Sequence, residues 1–234
     1  MKWLLLIASI IAGESVCSAQ QTTLYFPQIA DGTFQGGFWK TSLFITNAAV
    51  VGSPAARVTI TFTRSDSNPF NLSFQDDQGG LLPAGNQLAF EIAVGQTRKF
   101  VSTSTGSLAS GFATLTSNVP VAANAVFSQF DAAGRLVGEA GVPSTAALSR
   151  QMLFVDTIAG FKTGVAYANP NPSTADITVQ LLNRSGQEVT PTLSQRLAPN
   201  QHVALFVDQL VPLAPQLVGI IQIVSSRPVA DQNL

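Results

Sequence analysis

The chain has 234 residues, of which 46% are hydrophobic and only 11% are charged, and its formal net charge is −1. Average soluble domains carry about 25% charged residues, so neutral polar side chains must cover much of this surface. The apolar content excludes wholesale disorder. The balanced charge excludes the electrostatic footprint of a protein that binds nucleic acid or an anionic membrane.

The N-terminus has the pattern of a secretory signal peptide. Lys2 precedes an apolar run that is shorter than the stretch of about 20 residues that a spanning helix needs. The small residues Cys17 and Ala19 fit the −3 and −1 positions of a cleavage site. We therefore expect residues 1–19 to be removed between Ala19 and Gln20, leaving a secreted or cell-surface protein without a stable membrane span.

Cys17 has a second interpretation, because a cysteine after an apolar run can be lipidated in bacterial lipoproteins. Such a cysteine usually follows a Leu-(Ala/Ser)-(Gly/Ala) sequence, whereas Cys17 follows Glu14, Ser15 and Val16. The acidic residue and the valine both disfavour lipidation. If cleavage follows Ala19, the mature chain has no cysteine, which excludes a disulfide framework.

Four blocks of the sequence recur in the same order, which indicates an internal duplication. The paired blocks are 40–47 with 162–169, 57–62 with 176–181, Asn86-Gln87 with Asn200-Gln201, and 111–122 with 219–230. The first pair has Lys, Thr and Asn at the same spacing, and the last pair aligns without a gap. Chance similarity does not explain four blocks in one order.

The repeated blocks have the pattern of β-strands. Apolar residues alternate with polar ones in 57–63 and 176–181, and Gly, Pro, Asn and Ser clusters bound these segments, as is typical of half-buried antiparallel strands. Gly134 fits the turn of a hairpin over 127–137. Only 205–211 has the pattern of a short helical turn. Many short strands predict an all-β fold of two tandem antiparallel Ig-like β-sandwiches.

The duplication also predicts domain boundaries. Unit one covers 20–145, a linker covers 146–151 and unit two covers 152–234. Only four residues follow Pro-Val-Ala in unit two, so we expect this unit to be truncated and to lack its last strand. Three explanations stay open: a longer natural chain, a smaller sandwich, or a strand exchanged with a second molecule, for which 22–26 has suitable β-propensity.

Several motifs carry a resemblance to a known family. They are FPQIADG at 26–32, SLASGFA at 107–113, EAGVP at 139–143 and FKTGVAYANP at 161–170. They resemble the tandem Ig-like β-sandwich modules of uncharacterised secreted proteins from environmental bacteria. The resemblance covers nearly the whole mature chain. It implies an extracellular accessory module and brings no catalytic residue with it.

Residues that could carry catalysis or bind a metal do not form a recognisable motif. His202 is the only histidine, and no Gly-x-Ser-x-Gly elbow accompanies it, so we expect a surface or strand-edge histidine rather than a catalytic one. Asp66 and the Asp76-Asp77 pair lack the layout of a calcium loop. We therefore expect no metal and no cofactor, although the scattered carboxylates neither establish nor exclude a glycosidase pair.

An aromatic run is the best candidate for ligand contact. Phe34, Phe38 and Trp39 lie close together in sequence, with glycines between them, and Tyr25 lies upstream. Aromatic faces can stack on the flat apolar faces of sugars. The alternative is that Trp39 begins a core strand.

These features favour a non-enzymatic extracellular structural or interaction module, of adhesion or spacer type, with a protein or glycan partner. Two alternatives stay open. One is a carbohydrate-binding accessory module that uses the aromatic residues around Trp39. The other is a fragment of a larger secreted hydrolase.

Overall fold

The computed structural model describes residues 21–211 and 216–234. The predicted signal peptide and its cleavage site lie outside the described residues. Nine strands form one antiparallel curled sheet, unit one: β1 Thr22–Phe34, β2 Gly37–Asn47, β3 Ala56–Arg64, β4 Phe74–Asp76, β5 Gln87–Ile92, β6 Thr97–Ser102, β7 Ala109–Ser117, β8 Val121–Asp131 and β9 Leu136–Pro143. Six strands form a second sheet, unit two: β10 Leu148–Asp156, β11 Gly164–Ala168, β12 Ala175–Asn183, β13 Leu193–Leu197, β14 His202–Phe206 and β15 Val218–Asn233. The all-β prediction is confirmed.

Helical structure in the described part of the chain is limited to two short segments. They are a 3-10 turn at Ile158–Gly160 and the helix α1 at Val207–Leu210. The helix falls within 205–211, where the sequence predicts a helical turn. Neither segment is long and apolar enough to cross a membrane.

Unit one curls its sheet over one core. β1, β7, β3 and β5 pair in one half of the sheet, and β4, β6, β2, β8 and β9 pair in the other. The end of β1, Gly32 to Phe34, leaves β7 and pairs with β2, so one strand joins the two halves. Strand alternation buries Ile60 and Phe62 together with Leu43 of the opposite half.

Unit two repeats this arrangement with fewer strands. β10, β15, β12 and β13 form one half, and β14, β11 and the end of β15 form the other. β15 joins the halves, because residues 218–225 pair with β10 and β12 while residues 230–233 pair with β11. The strand expected to be missing after Pro-Val-Ala is therefore present for its first few residues. A counterpart of β9 is not found among the described strands of unit two.

The strand registers of the two units coincide. Corresponding pairs are Ile60–Leu115 with Val179–Ile223, and Thr46–Ala122 with Ala168–Ala230. These pairings join the same aligned positions of the sequence blocks. The pairing geometry therefore follows the sequence blocks. β10 begins at Leu148, inside the segment 146–151 predicted to be a linker, so the connection between the units is shorter than expected.

One of the four block matches is wrong in register. Asn200-Gln201 precede β14, which occupies the place of β6, so their structural counterpart is Gly95-Gln96. The N–H of Gly95 donates to the carbonyl of Asn47 (3.0 Å), and the N–H of Asn200 donates to the carbonyl of Asn169 (2.9 Å). Asn200 has a φ of 57°, which asparagine tolerates better than most residues. Asn86-Gln87 instead lie at the start of β5.

A buried asparagine makes the same contacts in both units, at the end of β2 in unit one and directly after β11 in unit two. Asn47 Nδ2 donates to the carbonyl of Ile92 (3.0 Å), and Asn169 Nδ2 donates to the carbonyl of Leu197 (2.9 Å). Each Oδ1 accepts from the amide two residues later, at 3.0 and 3.1 Å. The side chains thus complete backbone hydrogen bonding where the strands end.

A buried threonine hydroxyl joins the two half-sheets of each unit. Thr41 Oγ1 donates to the carbonyl of Ala30 (2.7 Å) and accepts from its N–H (3.2 Å). Thr163 Oγ1 makes the same pair of bonds with Asp156, both at 2.9 Å. The first strand of each unit is therefore fixed against the second by one side chain.

Glycine is required at two positions where the carbonyl oxygen of a neighbouring strand leaves no room for a β-carbon, one between β12 and β15 and one between β3 and β7. A β-carbon at Gly219 would lie 2.1 Å from the carbonyl oxygen of Leu182, and one at Gly111 would lie 2.0 Å from that of Thr63. We expect Gly219→Ala to lower the free energy of unfolding by about 1–3 kcal/mol, because the strands must separate. Gly138→Ala is the control, since its added β-carbon meets no atom within 4 Å. Chemical denaturation measures both, and a Gly219→Ala protein as stable as the control would contradict the expectation.

Candidate ligand-binding cleft between the two units

A cleft of about 630 Å³ lies between the two units. Its apolar walls come from both of them: Trp39, Leu108 and Phe127 from unit one, and Leu205, Phe206 and Leu234 from unit two. The lining side chains that carry polar atoms are Gln28, Ser110, Gln209 and Trp39, whose indole N–H is a donor. Ligand sites commonly have volumes of about 300–1,000 Å³ and a mostly apolar lining with few polar groups, and this cleft has both properties.

Strand alternation in β2 places Trp39 at the cleft. Trp39, Thr41 and Leu43 lie on the inner side of β2, where Leu43 is fully buried. Trp39 is only partly buried, packs against the core of unit one, and also lines the cleft. Trp39 therefore belongs both to a core strand and to the candidate site, which the sequence analysis treats as alternatives.

Phe38 lies on the opposite face of β2 from Trp39. Its ring stacks on that of Phe130, with centroids 4.9 Å apart, and Lys40 Nζ lies 5.6 Å from the Phe38 centroid. This contact forms across the directly paired strands β2 and β8. Phe38 therefore cannot share a ligand with Trp39 on one face of the sheet.

The other two predicted contact residues also lie outside the cleft lining. Phe34 ends β1 beside the hairpin to β2, and 37% of it is exposed. Tyr25 lies near the other end of β1, where its N–H and carbonyl pair with Thr145 at 2.8 and 2.9 Å. Burial raises the pKa of Tyr25 above its ordinary value. Of the four predicted aromatic residues, Trp39 alone lines the cleft.

His202 connects the two units. Of the two expected positions, surface or strand edge, it takes the second: it lies at the start of the edge strand β14 and is only 5% exposed. Its Nδ1 lies 2.9 Å from Ser65 Oγ of unit one. The carbonyl of Pro27 lies near the ring, although Nε2 makes no hydrogen bond of normal geometry with the described residues. Burial lowers the pKa of His202 to about 4, so the ring is neutral at pH 7.

The Ser65–His202 contact lacks the third member of a catalytic triad. A catalytic histidine is oriented by a carboxylate on its second nitrogen, and Nε2 has no such partner in the described structure. Asp208, the nearest carboxylate in sequence, pairs with Lys162 at 3.6 Å. The Ser65 hydroxyl also contacts Ser110 Oγ at 3.1 Å. Of these contacts, the one between Ser65 and His202 joins unit two to unit one.

The aspartates considered for calcium binding are used in turns and ion pairs. Asp76 Oδ1 accepts from the amide of Gly80 at 2.7 Å, and Asp77 pairs with Arg98 at 3.1 Å. Asp66 accepts from the amide of Asn68 at 3.1 Å, which lowers the pKa of its carboxyl. No group of three or more His, Cys, Asp or Glu side chains with metal-binding geometry is found among residues 21–211 and 216–234.

Several polar side chains near the boundary between the units are buried without partners. Besides His202, polar atoms of Gln28, Asp231, Gln232 and Asn233 form no hydrogen bond within the described structure. Asp231 is only 3% exposed, and burial raises its pKa to about 7. No sequence motif points to Asp231, which directly follows the last aligned block at the position where unit one has Ala123.

No known family model matches the chain, and no curated protein or solved structure matches it. A function for the cleft must therefore be inferred from the geometry of the cleft itself. The geometry provides an aromatic ring, apolar walls and a few hydrogen-bonding groups, and no Asp or Glu side chain lies among the described lining residues.

The buried carboxyl of Asp231 makes stability depend on pH. Its pKa is about 7 in the folded protein and 3.8 ordinarily, so the folded state holds the proton more tightly and loses stability as pH rises from about 4 through 7. We expect Asp231→Asn to stabilise the protein by about 2–3 kcal/mol more at pH 8 than at pH 5. Urea denaturation at both pH values measures the difference.

His202 acts in the opposite direction to Asp231: its pKa is lowered, so it adds stability as pH rises from about 4 to 6.5. This contribution is the same in the native protein and in Asp231→Asn, so it cancels in the difference between their free energies of unfolding. Asp176→Asn is a matched control, because its carboxylate is 70% exposed. An Asp231→Asn effect that is the same at both pH values would contradict the burial of an ionisable carboxyl.

Proposed function

We propose that the protein is a non-enzymatic extracellular binding module whose ligand site is the cleft between the two units. The observation that carries the proposal is the position of Trp39, which is partly buried against the core of unit one and faces walls supplied by unit two. A tryptophan left partly accessible between two packed units supports binding. The predicted signal peptide and the family resemblance support an extracellular location.

The lining favours an apolar ligand. Leu108, Phe127, Leu205 and Phe206 surround Trp39 with hydrocarbon, and burial of apolar surface is the main favourable contribution to such binding. The side-chain oxygen of Gln28 is itself buried and adds no exposed acceptor to the cleft. We therefore expect a small, mostly apolar molecule.

The carbohydrate alternative rests on the same tryptophan. A sugar would stack on the Trp39 ring, but its hydroxyl groups would need several fixed polar partners, and besides the indole N–H of Trp39 the lining offers only the side chains of Gln28, Ser110 and Gln209. A hydrolase would need two carboxylates facing each other across the site, and the described cleft lining has no Asp or Glu side chain. The apolar lining thus favours the first proposal over both alternatives.

Fluorescence of Trp39 tests the proposal directly. After Trp3, Trp39 is the only tryptophan in the chain, so the form that begins at Gln20 has a single reporter inside the cleft. We expect the apolar probe 1-anilinonaphthalene-8-sulfonate to quench Trp39 emission in a saturable way. Ala204→Phe places a ring in the cleft and should weaken probe binding at least about tenfold.

Ala132→Phe adds the same ring at the exposed turn between β8 and β9 and should leave the affinity unchanged. Non-saturable quenching, or an equal affinity of the Ala204→Phe and Ala132→Phe proteins for the probe, would contradict the apolar-ligand proposal. Saturable binding of an oligosaccharide that Trp39→Ala abolishes, with the fold intact by circular dichroism, would replace it with the carbohydrate alternative.

A further inference from the structure

The end of β15 is an open strand edge in unit two. Leu234 N–H donates to the carbonyl of Gly164 at 2.9 Å, and Gly164 N–H donates back to the carbonyl of Leu234 at 3.2 Å. Neighbouring residues of an antiparallel strand direct their backbone groups to opposite sides, so those of Asn233 and Asp231 point away from β11. Within the described chain, no strand pairs with these two residues on that side.

The duplication shows what covers the same edge in unit one. By strand register, Asp231 is the counterpart of Ala123. In unit one, Ser144 N–H donates to the carbonyl of Ala123 at 2.8 Å, and Val142 pairs with Ala125. The edge is thus covered by an extended antiparallel chain, which consists of the end of β9 and the residue after it. The described residues of unit two include no such chain.

A groove follows this open edge. It has a volume of about 600 Å³, and residues 231–233 line it. Successive residues of a strand point to opposite faces, so a cavity that touches all three lies along the edge and not on one face. Residues 141–145 of unit one and residues 150–153 of β10 form the other walls. The paired residues Leu148 and Val229 lie at one end. We call this space the edge groove.

The edge groove is lined by buried polar side chains that lack partners. Asp231 is only 3% exposed, and its Oδ2 forms no hydrogen bond in the described structure. Asn233 Oδ1 is also buried without a partner there. Buried polar atoms in native proteins are nearly always hydrogen-bonded. Both atoms are acceptors, and they lie on the same face of β15 because the residues are two apart. An occupant that completes this site must therefore carry a hydrogen-bond donor on that face.

The electrostatics of the edge groove favour a positively charged donor. Burial raises the pKa of Asp231, and no positive group among the described residues offsets that effect. Arg150 also lines the groove, but its Nη2 donates to Gln222 Oε1 at 2.8 Å. The carboxyl of Asp231 has already lost its hydration in the described structure. Binding of a cation therefore does not incur the desolvation cost of this carboxyl a second time.

We propose that the edge groove binds an extended segment of another protein, which adds to β15 as an antiparallel strand and places a lysine or arginine side chain opposite Asp231. Asp231 and Asn233 offer two N–H and two carbonyl groups at the spacing of a strand, and an extended peptide matches all four. The residue opposite Asp231 takes the place that Ser144 has in unit one. Its side chain lies on the same face as the carboxyl, so a basic group there bonds the unpartnered oxygen.

A labelled peptide tests the proposal on the whole chain and on the form that begins at Gln20. The probe is fluorescein-labelled Glu-Ala-Gly-Val-Pro-Lys-Thr, which repeats residues 139–145 with the change Ser144→Lys. A short strand pair buries less than the roughly 1,200–2,000 Å² of a standard interface. We therefore expect saturable binding by fluorescence anisotropy with a dissociation constant of about 10–500 µM. The absence of saturable binding up to about 1 mM would overturn the proposal.

N-methylation of single residues of the probe tests strand addition. In unit one, Val142 directs its N–H toward β8, as Ser144 does, whereas Gly141 directs its N–H away. We expect an N-methyl group on the valine of the probe to weaken binding at least about tenfold, because it removes a hydrogen bond to Asn233. The same group on the glycine is the matched control and should leave the affinity unchanged. Equal effects of the two groups would overturn pairing along β15.

Charge variants of the protein test the position of the basic side chain. Asp231→Asn should weaken binding of the lysine probe about tenfold. It should not change binding of the 139–145 peptide with its native serine. Asp176→Asn, at an exposed carboxylate of β12, is the matched control and should change the binding of neither peptide. Equal weakening of both peptides by Asp231→Asn would overturn the contact between the basic side chain and this carboxyl.

The same assay distinguishes the edge groove from other sites. Ala204→Phe fills the cleft between the units and should leave binding of the probe unchanged. Loss of binding in this variant would place the peptide in that cleft and overturn the proposal. Self-association of the protein, measured by sedimentation velocity and abolished by the probe, would make a second copy the occupant and would also overturn it.

Discussion

One buried hydroxyl in each unit determines how the first two strands meet, and the rest of the structure depends on that contact. Thr41 bonds both backbone groups of Ala30, which holds β1 across the end of β2. Ala30 and Trp39 therefore both line the cleft. An apolar residue at position 41 would leave two buried backbone groups without partners, at a cost of about 1–3 kcal/mol each. The ligand site thus rests on a polar contact inside an apolar core.

The corresponding contact in unit two has a different consequence. Thr163 bonds Asp156 at the end of β10, so it closes the strand edge there and leaves the preceding residues open. In unit one, Thr145 closes the edge at Tyr25. The same hydroxyl contact therefore fixes a cleft wall in one unit and lies at the limit of an open edge in the other, and among the described residues only unit one has a residue, Thr145, that closes the edge further along.

Much of the fold could be predicted because alternation assigns each strand residue to a face and the duplicated blocks fix the order of strands. Ile60 and Val179 are buried as that pattern requires. Alternation does not show whether a face is covered by solvent or by another unit, so the burial of His202 against Ser65 was missed. The same limit applies to the aromatic run, since neighbouring residues Phe38 and Trp39 necessarily point to opposite faces.

The two copies differ in polarity at two buried positions of unit two. His202 stands where unit one has Thr97, and Asp231 stands where it has Ala123. Both are buried, and each is neutral over part of the ordinary pH range because burial shifts its pKa. A neutral imidazole can accept from Ser65, whereas a charged one would have to lose its solvation inside the interface. The two groups lie in different places: His202 contacts Ser65 of unit one, whereas Asp231 lies directly opposite Tyr167, a core residue of unit two, so pH acts both on the contact between the units and on the core of unit two.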